Sequence, residues 1–464
     1  MSQTAKNDAD IVLSPAILKE IYIIPLEKEH YLIYAPLHRF AFITNTQIAH
    51  YLTALQAGIH PVVAEDISSL LPYLSTLKTN FNGKAQLQQG NPFPTALTLF
   101  LTTACNLRCS YCYANAGDTA IEKMSIATAT RGIDYILSNI AKKNFIADNC
   151  QQPRLEYLQL SYHGGGEPTA NWQVLHDSFH YAQQQAHHQG VMVNASLATN
   201  GVLKDAQIDW IAQHIGRVGV SFGGLPELHD KHRFMANGAG SSQRVMHTLQ
   251  RFDELGVIYT LRLTLTTDQL NQLPDAVRFI CAHYRPHKIH IEPAHSVGRG
   301  ATQSPLDVEH FLAAYRQAQH IAQATGHTLY YATADIKKLT THYCGISQDT
   351  FALSPQGNVS ACYASFSEAE TLADVFFYGK PEEKGKGYSF DLNKLNVLRQ
   401  QTVTHKPACQ SCYAKWHCAG DCHHEARIAQ TDVASLDRCQ ITRALVKDQL
   451  VEKINENNEK DWMA

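Results

Sequence analysis

The chain has 464 residues, of which 44% are hydrophobic and 17% charged, and its formal charge is −3; these are ordinary values for a globular protein able to bury more than one core. That charge excludes a broad electrostatic footprint for nucleic acid or an anionic membrane, and no apolar run reaches the length of a membrane span. The N-terminal MSQTAKNDAD carries no charged-then-apolar signal, so a cytoplasmic protein is expected, in which the twelve thiols are metal ligands or catalytic groups rather than a disulfide framework.

Residues 20–46 alternate in short strand-like runs, IYIIPL, YLIYA and FAFIT. Helical periodicity follows in QIAHYLTAL and in DISSLLPYLSTL, where Leu70, Leu71 and Leu74 share a face. The polar stretch 80–94, with Gly and Pro, reads as a linker. From residue 96 strand and helix alternate regularly. Strands are expected at 96–103, 156–163, 191–199, 216–222, 259–266 and 288–293, with amphipathic helices such as IATATRGIDYILSNI between them. Their apolar runs predict parallel strands covered on both faces. Six such units are too few for an eight-stranded barrel and fit either an open barrel or a wound sheet. After His295 come a loop and the helix DVEHFLAAYRQAQHIAQATG. The segment from Cys344 to Cys439 is rich in Cys, Gly and turn residues, the composition of a small domain stapled by metal. The 25 histidines follow no zinc spacing and read mostly as solvated surface groups.

The cysteines fall into three groups: Cys105, Cys109 and Cys112; Cys344 and Cys362; and Cys409, Cys412, Cys418, Cys422 and Cys439. Cys150 and Cys281 stand apart and are expected to be small buried hydrophobes. The first group, Cys105-Asn-Leu-Arg-Cys109-Ser-Tyr-Cys112, directly follows the first expected strand. A 4Fe–4S cluster normally takes four thiolates, so three within eight residues and no fourth nearby leave one iron open to a ligand. A zinc site would want a fourth protein ligand at hand.

This Cys-x₃-Cys-x₂-Cys spacing resembles the signature of the radical S-adenosylmethionine (SAM) superfamily. The resemblance implies that the open iron chelates the amino and carboxylate groups of SAM, and that reduction yields a 5′-deoxyadenosyl radical. It places Tyr111 beside adenine. Gly164-Gly165-Gly166-Glu167-Pro168, after the second strand, is similar to the family's GGE motif. Gly165 and Gly166 would let backbone approach the cofactor, with Glu167 accepting from the methionyl ammonium and Pro168 closing the motif. Ser221, ending the fourth strand, and Arg262, in the fifth, are placed against ribose and carboxylate; Arg262 equally suits a barrel arginine paired with a core acid. Many relatives carry Asp-Gly after this serine and one spacer, but here Gly223-Gly224 follows Ser221-Phe222.

Cys344, then Gly357 and Cys362, then Cys409-x₂-Cys412-x₅-Cys418-x₃-Cys422 and Cys439 match the SPASM domain of peptide-maturing enzymes in all seven cysteines and the glycine; Cys409-x₂-Cys412 alone would also suit a zinc knuckle. The resemblance implies two auxiliary 4Fe–4S clusters, three clusters in all. Cys409, Cys412, Cys418 and Cys439 would hold one, and Cys344, Cys362 and Cys422 the other. Residues 336–343 lack the further cysteine of fully ligated relatives, which leaves an open iron or a non-cysteine ligand such as His342.

Taken together, an α/β chain is expected. Residues 1–95 form an N-terminal winged-helix-like peptide-recognition domain and linker, and 96–300 an open partial (β/α)6 barrel. A connecting helix spans 301–343, a small cysteine-rich iron–sulfur SPASM domain 344–440, and a C-terminal helix 441–464. The expected activity is oxidative cross-linking, as a thioether or a carbon–carbon bond, in a ribosomal precursor peptide. Its leader would pair with the N-terminal domain by strand addition. Electrons would come from a donor such as flavodoxin or ferredoxin. Tyr363, Asp421, His423 and Glu425, beside cluster ligands, are the candidates for proton handling, with hydrogen bonding to the clusters as their plainer role. Sulfatase maturases, which share the architecture, carry an aspartate base where this chain has Tyr363, and a phenol with an ordinary pKa near 10 is a poor base at neutral pH. An iron–sulfur electron carrier or redox sensor is the alternative of another class.

Overall fold

A computed structural model of the chain describes residues 15–59, 83, 87–429 and 437–457. The expected helix containing Leu70, Leu71 and Leu74, and the middle of the linker, lie outside these residues. The N-terminal strands are present as β1 (Tyr22–Pro25), β2 (His30–Ala35) and β3 (Phe40–Asn45), an antiparallel meander. The helix Thr46–Gln56 follows, capped where the Asn45 side chain accepts from the Ile48 amide at 3.1 Å.

All six expected strands of the alternating region form. They are β4 (Ala96–Phe100), β5 (Tyr157–His163), β6 (Met192–Thr199), β7 (Arg217–Ser221), β8 (Tyr259–Leu265) and β9 (Lys288–Pro293). A short β10 (Leu329–Tyr330) extends the parallel series after the helix Val308–Ala324. Strand order follows chain order from β4 to β10 with parallel neighbours throughout, so the sheet winds in one direction and does not reverse as a doubly wound sheet would. It is an open sheet with the topology of a partial barrel.

The cysteine-rich segment does not build a separate sheet. Its β11 (Ala352–Leu353) pairs parallel to β4, and β12 (Val359–Ser360), β13 (Phe377–Pro381) and β14 (Tyr388–Phe390) continue antiparallel from it, giving one eleven-stranded sheet. The boundary expected between 440 and 441 falls inside a helix, Asp437–Asn457, so Cys439 sits on that helix's first turn.

Two expectations are corrected. Strands β5 to β8 are covered on one face only, whereas β4, with Leu97, Thr98, Leu99 and Phe100 all buried, and the end of β9 are covered on both. Leu158, Leu160 and Tyr162 are buried under the helices, while Tyr157 and Gln159 are exposed and Ser161 and His163 half-buried; in β8, Arg262 is exposed between buried Leu261 and Leu263. An open sheet leaves the middle of its concave face to solvent, so β5 to β8 keep a period of two. Cys150, at the end of the helix Ile126–Cys150, is exposed, whereas Cys281 is buried as expected.

Candidate functional site

The loop carrying Cys105, Cys109 and Cys112 leaves the carboxyl end of β4 and is held from two sides. Leu107 bridges to Met235, and the amides of Arg108 and Ser110 donate to the carbonyls of Phe234 and His232. Opposite, Arg299 donates from Nε to the Cys109 carbonyl at 2.8 Å and from its amide to that of Cys112. Burial pushes the Cys105 thiol up to about 12, and Glu167 and the other two thiols add to it. Burial also raises Cys109, with Arg233 and Arg299 pulling the other way. Thiols raised as Cys105 and Cys109 are become thiolates only against a strong local cation, which is the demand that an iron cluster would meet. Among the described residues no three of His, Cys, Asp or Glu converge on a single-ion site. A cubane asks for a different arrangement, with thiolates spread around its several irons.

Gly166 packs where a Cβ would lie 2.2 Å from the Ala104 carbonyl oxygen, so only glycine fits between the second strand's loop and the cysteine loop. A Cβ on Gly165 would meet the Phe366 ring, and Pro168 opens a short 3₁₀ turn that Glu167 caps. Glu167 is buried and its carboxylate accepts from the Thr169 amide and hydroxyl and the Thr199 hydroxyl at 2.8 Å on Oε1, and from the Asn200 amide at 2.7 Å on Oε2. Three of these bonds fall on Oε1 and one on Oε2, which leaves Oε2 an open acceptor position. Glu167 thus ties β5 to β6 mainly through Oε1 while Oε2 can still accept a donor. Asn200, which sequence reasoning missed, donates to Asn106 at 2.7 Å and reaches Cys105 Sγ at 3.7 Å.

Tyr111 is buried, with Arg233 donating to its hydroxyl at 3.3 Å and His232 stacked on its ring. Ser221 ends β7 in register with Arg262. Arg262 pairs with Glu292 at 2.9 Å, the barrel-acid partner weighed from sequence, while remaining nearly half exposed.

The remaining seven cysteines divide in space. Cys409, Cys412, Cys418 and Cys439 line one small cavity. Cys344, Cys362 and Cys422 line a larger cavity of about 480 Å³, which Cys418 also touches. Burial raises the Cys362 and Cys439 thiols to about 12. Cys362 feels the charge of Cys344, and Cys439 that of Cys409 and Cys412. The 412–418 loop is fastened to the N-terminal sheet. Glu20 accepts from Lys415 at 2.8 Å and Trp416 Nε1 at 2.7 Å, and the Tyr34 hydroxyl meets His417 Nε2 at 2.5 Å. His342 instead bonds to Ser347 at 2.8 Å.

The 480 Å³ cavity extends from Tyr113 and Arg262, beside the first cysteine loop, to Cys344, Cys362 and Cys422. Histidines expected at the surface line it: His163, His290, His295, His417 and His424. Burial lowers His163, His290 and His424 to about 4, so their imidazoles are neutral at pH 7. Tyr363 lines the cavity too; its hydroxyl lies 2.9 Å from Thr98 Oγ1, and burial raises its pKa, which makes it a still poorer base.

Behind the cavity Arg438 gathers three carboxylates. It donates to Glu292 at 2.8 Å and Asp421 at 3.1 Å, and lies 3.9 Å from Glu425. Glu425 also meets His295 Nδ1 at 2.9 Å. Burial opposes charge on Glu292 and Glu425, but Arg438 with Arg262 for the first, and His295 with Arg438 for the second, hold both below the usual carboxylate range. Asp421 is therefore a buried partner of Arg438, and it also accepts from the Cys422 amide at 2.7 Å. His423 packs edge-on against Phe376. Arg438 and Glu292 were missed from sequence; the alternation of Lys288, His290 and Glu292 on one face of KIHIEP was the available signal.

Residues 99–280 match the Radical SAM superfamily model, so the chain carries a radical SAM domain. It is similar to the S-adenosylmethionine-dependent nucleotide dehydratase of Pseudoalteromonas ulvae, 30% identical over 27% of this chain and 39% of that one. It is also similar to the sporulation killing factor maturation protein SkfB of Bacillus subtilis, 24% identical over 49% of this chain and 50% of that one. Thus the chain spans about half the length, or less, of these curated relatives. In fold it resembles anSMEcpe with bound AdoMet, with a TM-score of 0.60 and 16% identity over 78% of this chain and 95% of that one. The same protein with AdoMet and the Cp18Cys peptide gives 0.59 at 17% identity, over 78% and 99%. No helix among the described residues is long and apolar enough to cross a membrane.

Proposed function

From a chain whose residues 99–280 form a radical SAM domain, we propose a peptide maturase that abstracts hydrogen from a ribosomal precursor and forms a cross-link in it. With SAM bound, a reduced cluster on Cys105, Cys109 and Cys112 supplies a 5′-deoxyadenosyl radical. Cys409, Cys412, Cys418 and Cys439 hold one auxiliary cluster, and Cys344, Cys362 and Cys422 a second. The observation that carries this reading is the 480 Å³ cavity, reached on one side by the radical-SAM loops and on the other by three auxiliary cysteines. A substrate residue seated there lies between the group that takes its hydrogen and a group able to take the remaining electron. Tyr111, Ser221 and Arg262 orient the cofactor, and Gly165, Gly166 and Pro168 shape the backbone around it. Glu167 organises the strand-end loops and would accept from the cofactor's ammonium on Oε2.

The likeness to SkfB and the peptide-bound anSMEcpe supports a peptide substrate. Leader recognition falls to the β1–β3 sheet, whose edges can accept an added strand. The fold likeness to anSMEcpe also favours a second reading, formylglycine formation in a sulfatase, against which stands Tyr363 at the position of the aspartate base.

The test is anaerobic reconstitution, reduction with SAM and a candidate precursor peptide taken from a short reading frame next to the gene, and mass spectrometry. Loss of two hydrogens with release of 5′-deoxyadenosine supports cross-linking. 5′-Deoxyadenosine with an unchanged peptide rejects that substrate. Neither product, with all clusters intact, sinks the radical-enzyme reading.

A further inference from the structure

The concave face of the sheet carries a charge pattern that the reaction cavity does not use. Towards the amino ends of the strands lies a second cavity of about 220 Å³, lined in part by Ser161, Ser196, Arg217 and Thr260. It meets the reaction cavity at His163 and Tyr363, which line both and whose rings stand 5.0 Å apart. The two rings stand in contact, so the cavities adjoin across them as a shared wall.

Its chemistry is one-sided. Ser161 and Ser196 share a hydrogen bond of 2.9 Å, and the only charged side chain on the wall of the lower cavity is Arg217. Lys288 begins β9 on the same face, in register with Thr260. Both cations are exposed, and neither has an ion-pair partner among the described residues, though Lys288 rests over the Tyr330 ring at 5.7 Å. Among the strand residues of this face the one carboxylate, Glu292, is already paired with Arg262 and Arg438. Two unmatched positive charges thus stand in a concave trough of a chain whose formal charge is −3. Such a trough concentrates the field for an anionic ligand.

We propose that the lower cavity is a carboxylate subsite. It takes a carboxylate-bearing segment of the substrate, ion-paired to Arg217 in the field of Lys288, beside the wall that His163 and Tyr363 share with the reaction cavity. The proposal rests on the peptide reading above. An acidic side chain and a peptide C-terminus present the same group.

The experiment uses the full chain with its clusters reconstituted and SAM present, so that Arg262 is not the open carboxylate ligand. Three N-acetylated alanine heptapeptides are titrated by calorimetry at low salt: central aspartate with an amidated end, central asparagine with a free end, and central asparagine with an amidated end. Glutarate is a fourth probe. At least one carboxylate peptide should bind about tenfold more tightly than the uncharged one, the size of one charge-assisted hydrogen-bonded contact. Arg217→Gln with Lys288→Gln should bring that advantage within about twofold, whereas Arg217→Lys with Lys288→Arg should keep most of it. Which peptide gains tells side chain from terminus. Equal binding of all three peptides overturns the subsite while leaving the peptide reading intact, as does a preference that survives in the glutamine pair. Glutarate binding that depends on Arg217, with no peptide bound, keeps the subsite and fails the peptide reading. No binding by any probe overturns the subsite. The charge-retaining pair and the cluster absorbance control for folding.

Discussion

Replacing Arg438 by methionine removes one cation from three carboxylates. The guanidinium has 4% exposure, and its partners Glu292, Asp421 and Glu425 have 6%, 0% and 10%. Losing one partner of a buried pair costs about 3–5 kcal/mol, because the carboxylate left behind keeps its desolvation penalty without its compensation. Here the loss is partly relieved. Glu292 retains Arg262, Asp421 retains the Cys422 amide, and Glu425 retains His295. The lower end, about 3 kcal/mol, is therefore expected for Arg438→Met. Arg438→Lys keeps the charge but loses the fork that bonds Glu292 and Asp421 together, for about 1–2 kcal/mol. Adding Glu292→Gln to Arg438→Met should recover about 1 kcal/mol, since one stranded charge is gone. The assay is urea unfolding of the cluster-loaded protein followed by tryptophan fluorescence. An Arg438→Met protein as stable as the wild type, or a Glu292→Gln addition that destabilises it further by its full single-mutant cost, would refute the argument that Arg438 neutralises this cluster of acids.

Tyr363→Phe should leave product formation within about threefold, because burial makes the phenol a worse base and its hydroxyl already bonds Thr98; a loss beyond about a hundredfold in peptide turnover would make it a proton-transfer group after all. Gly166→Ala should displace the Cys105 loop, since the new methyl meets backbone atoms of Thr103 and Ala104 at 2.6 and 2.2 Å. The expected reading is lost iron at the first site with the auxiliary iron kept, and full iron occupancy would contradict it. His163 and His290 have folded pKa values near 4, below their usual 6.5. The unfolded chain therefore binds more protons between those values, and stability falls as pH drops through that window. Glutamine at both positions should flatten the fall in the urea midpoint between pH 7 and 5; an unchanged slope would remove these histidines from the account. Cys439→Ser should lower iron content by up to one cluster and spare the first site, which an iron assay with electron paramagnetic resonance would check.

What could be read along the chain was whatever depends on near neighbours. The spacing of Cys105, Cys109 and Cys112 after a strand is local chemistry, and the six strands from β4 to β9 followed from local periodicity to within a few residues. The two sets of cysteines that the SPASM resemblance groups line two neighbouring cavities, with Cys418 touching both. Coverage of the sheet was misjudged, because an apolar run counts hydrophobic residues without saying whether the sheet closes. Leu158, Leu160 and Tyr162 face helices, and Ser161 and His163 face a trough only because β10 and β4 do not pair with each other.

The sequence by itself determined the radical-SAM cysteine loop, the strand–helix alternation and the parity that puts Lys288, His290 and Glu292 on one face, since each is set within a few residues. Only the tertiary structure decided that Arg438 meets Glu292 across 146 positions, that Glu167 accepts from Thr199 and Asn200, and that β11 extends the barrel sheet. Those contacts join segments far apart in the chain. Burial, which sets their strength and shifts the histidines, belongs to the packed whole and not to any stretch of residues.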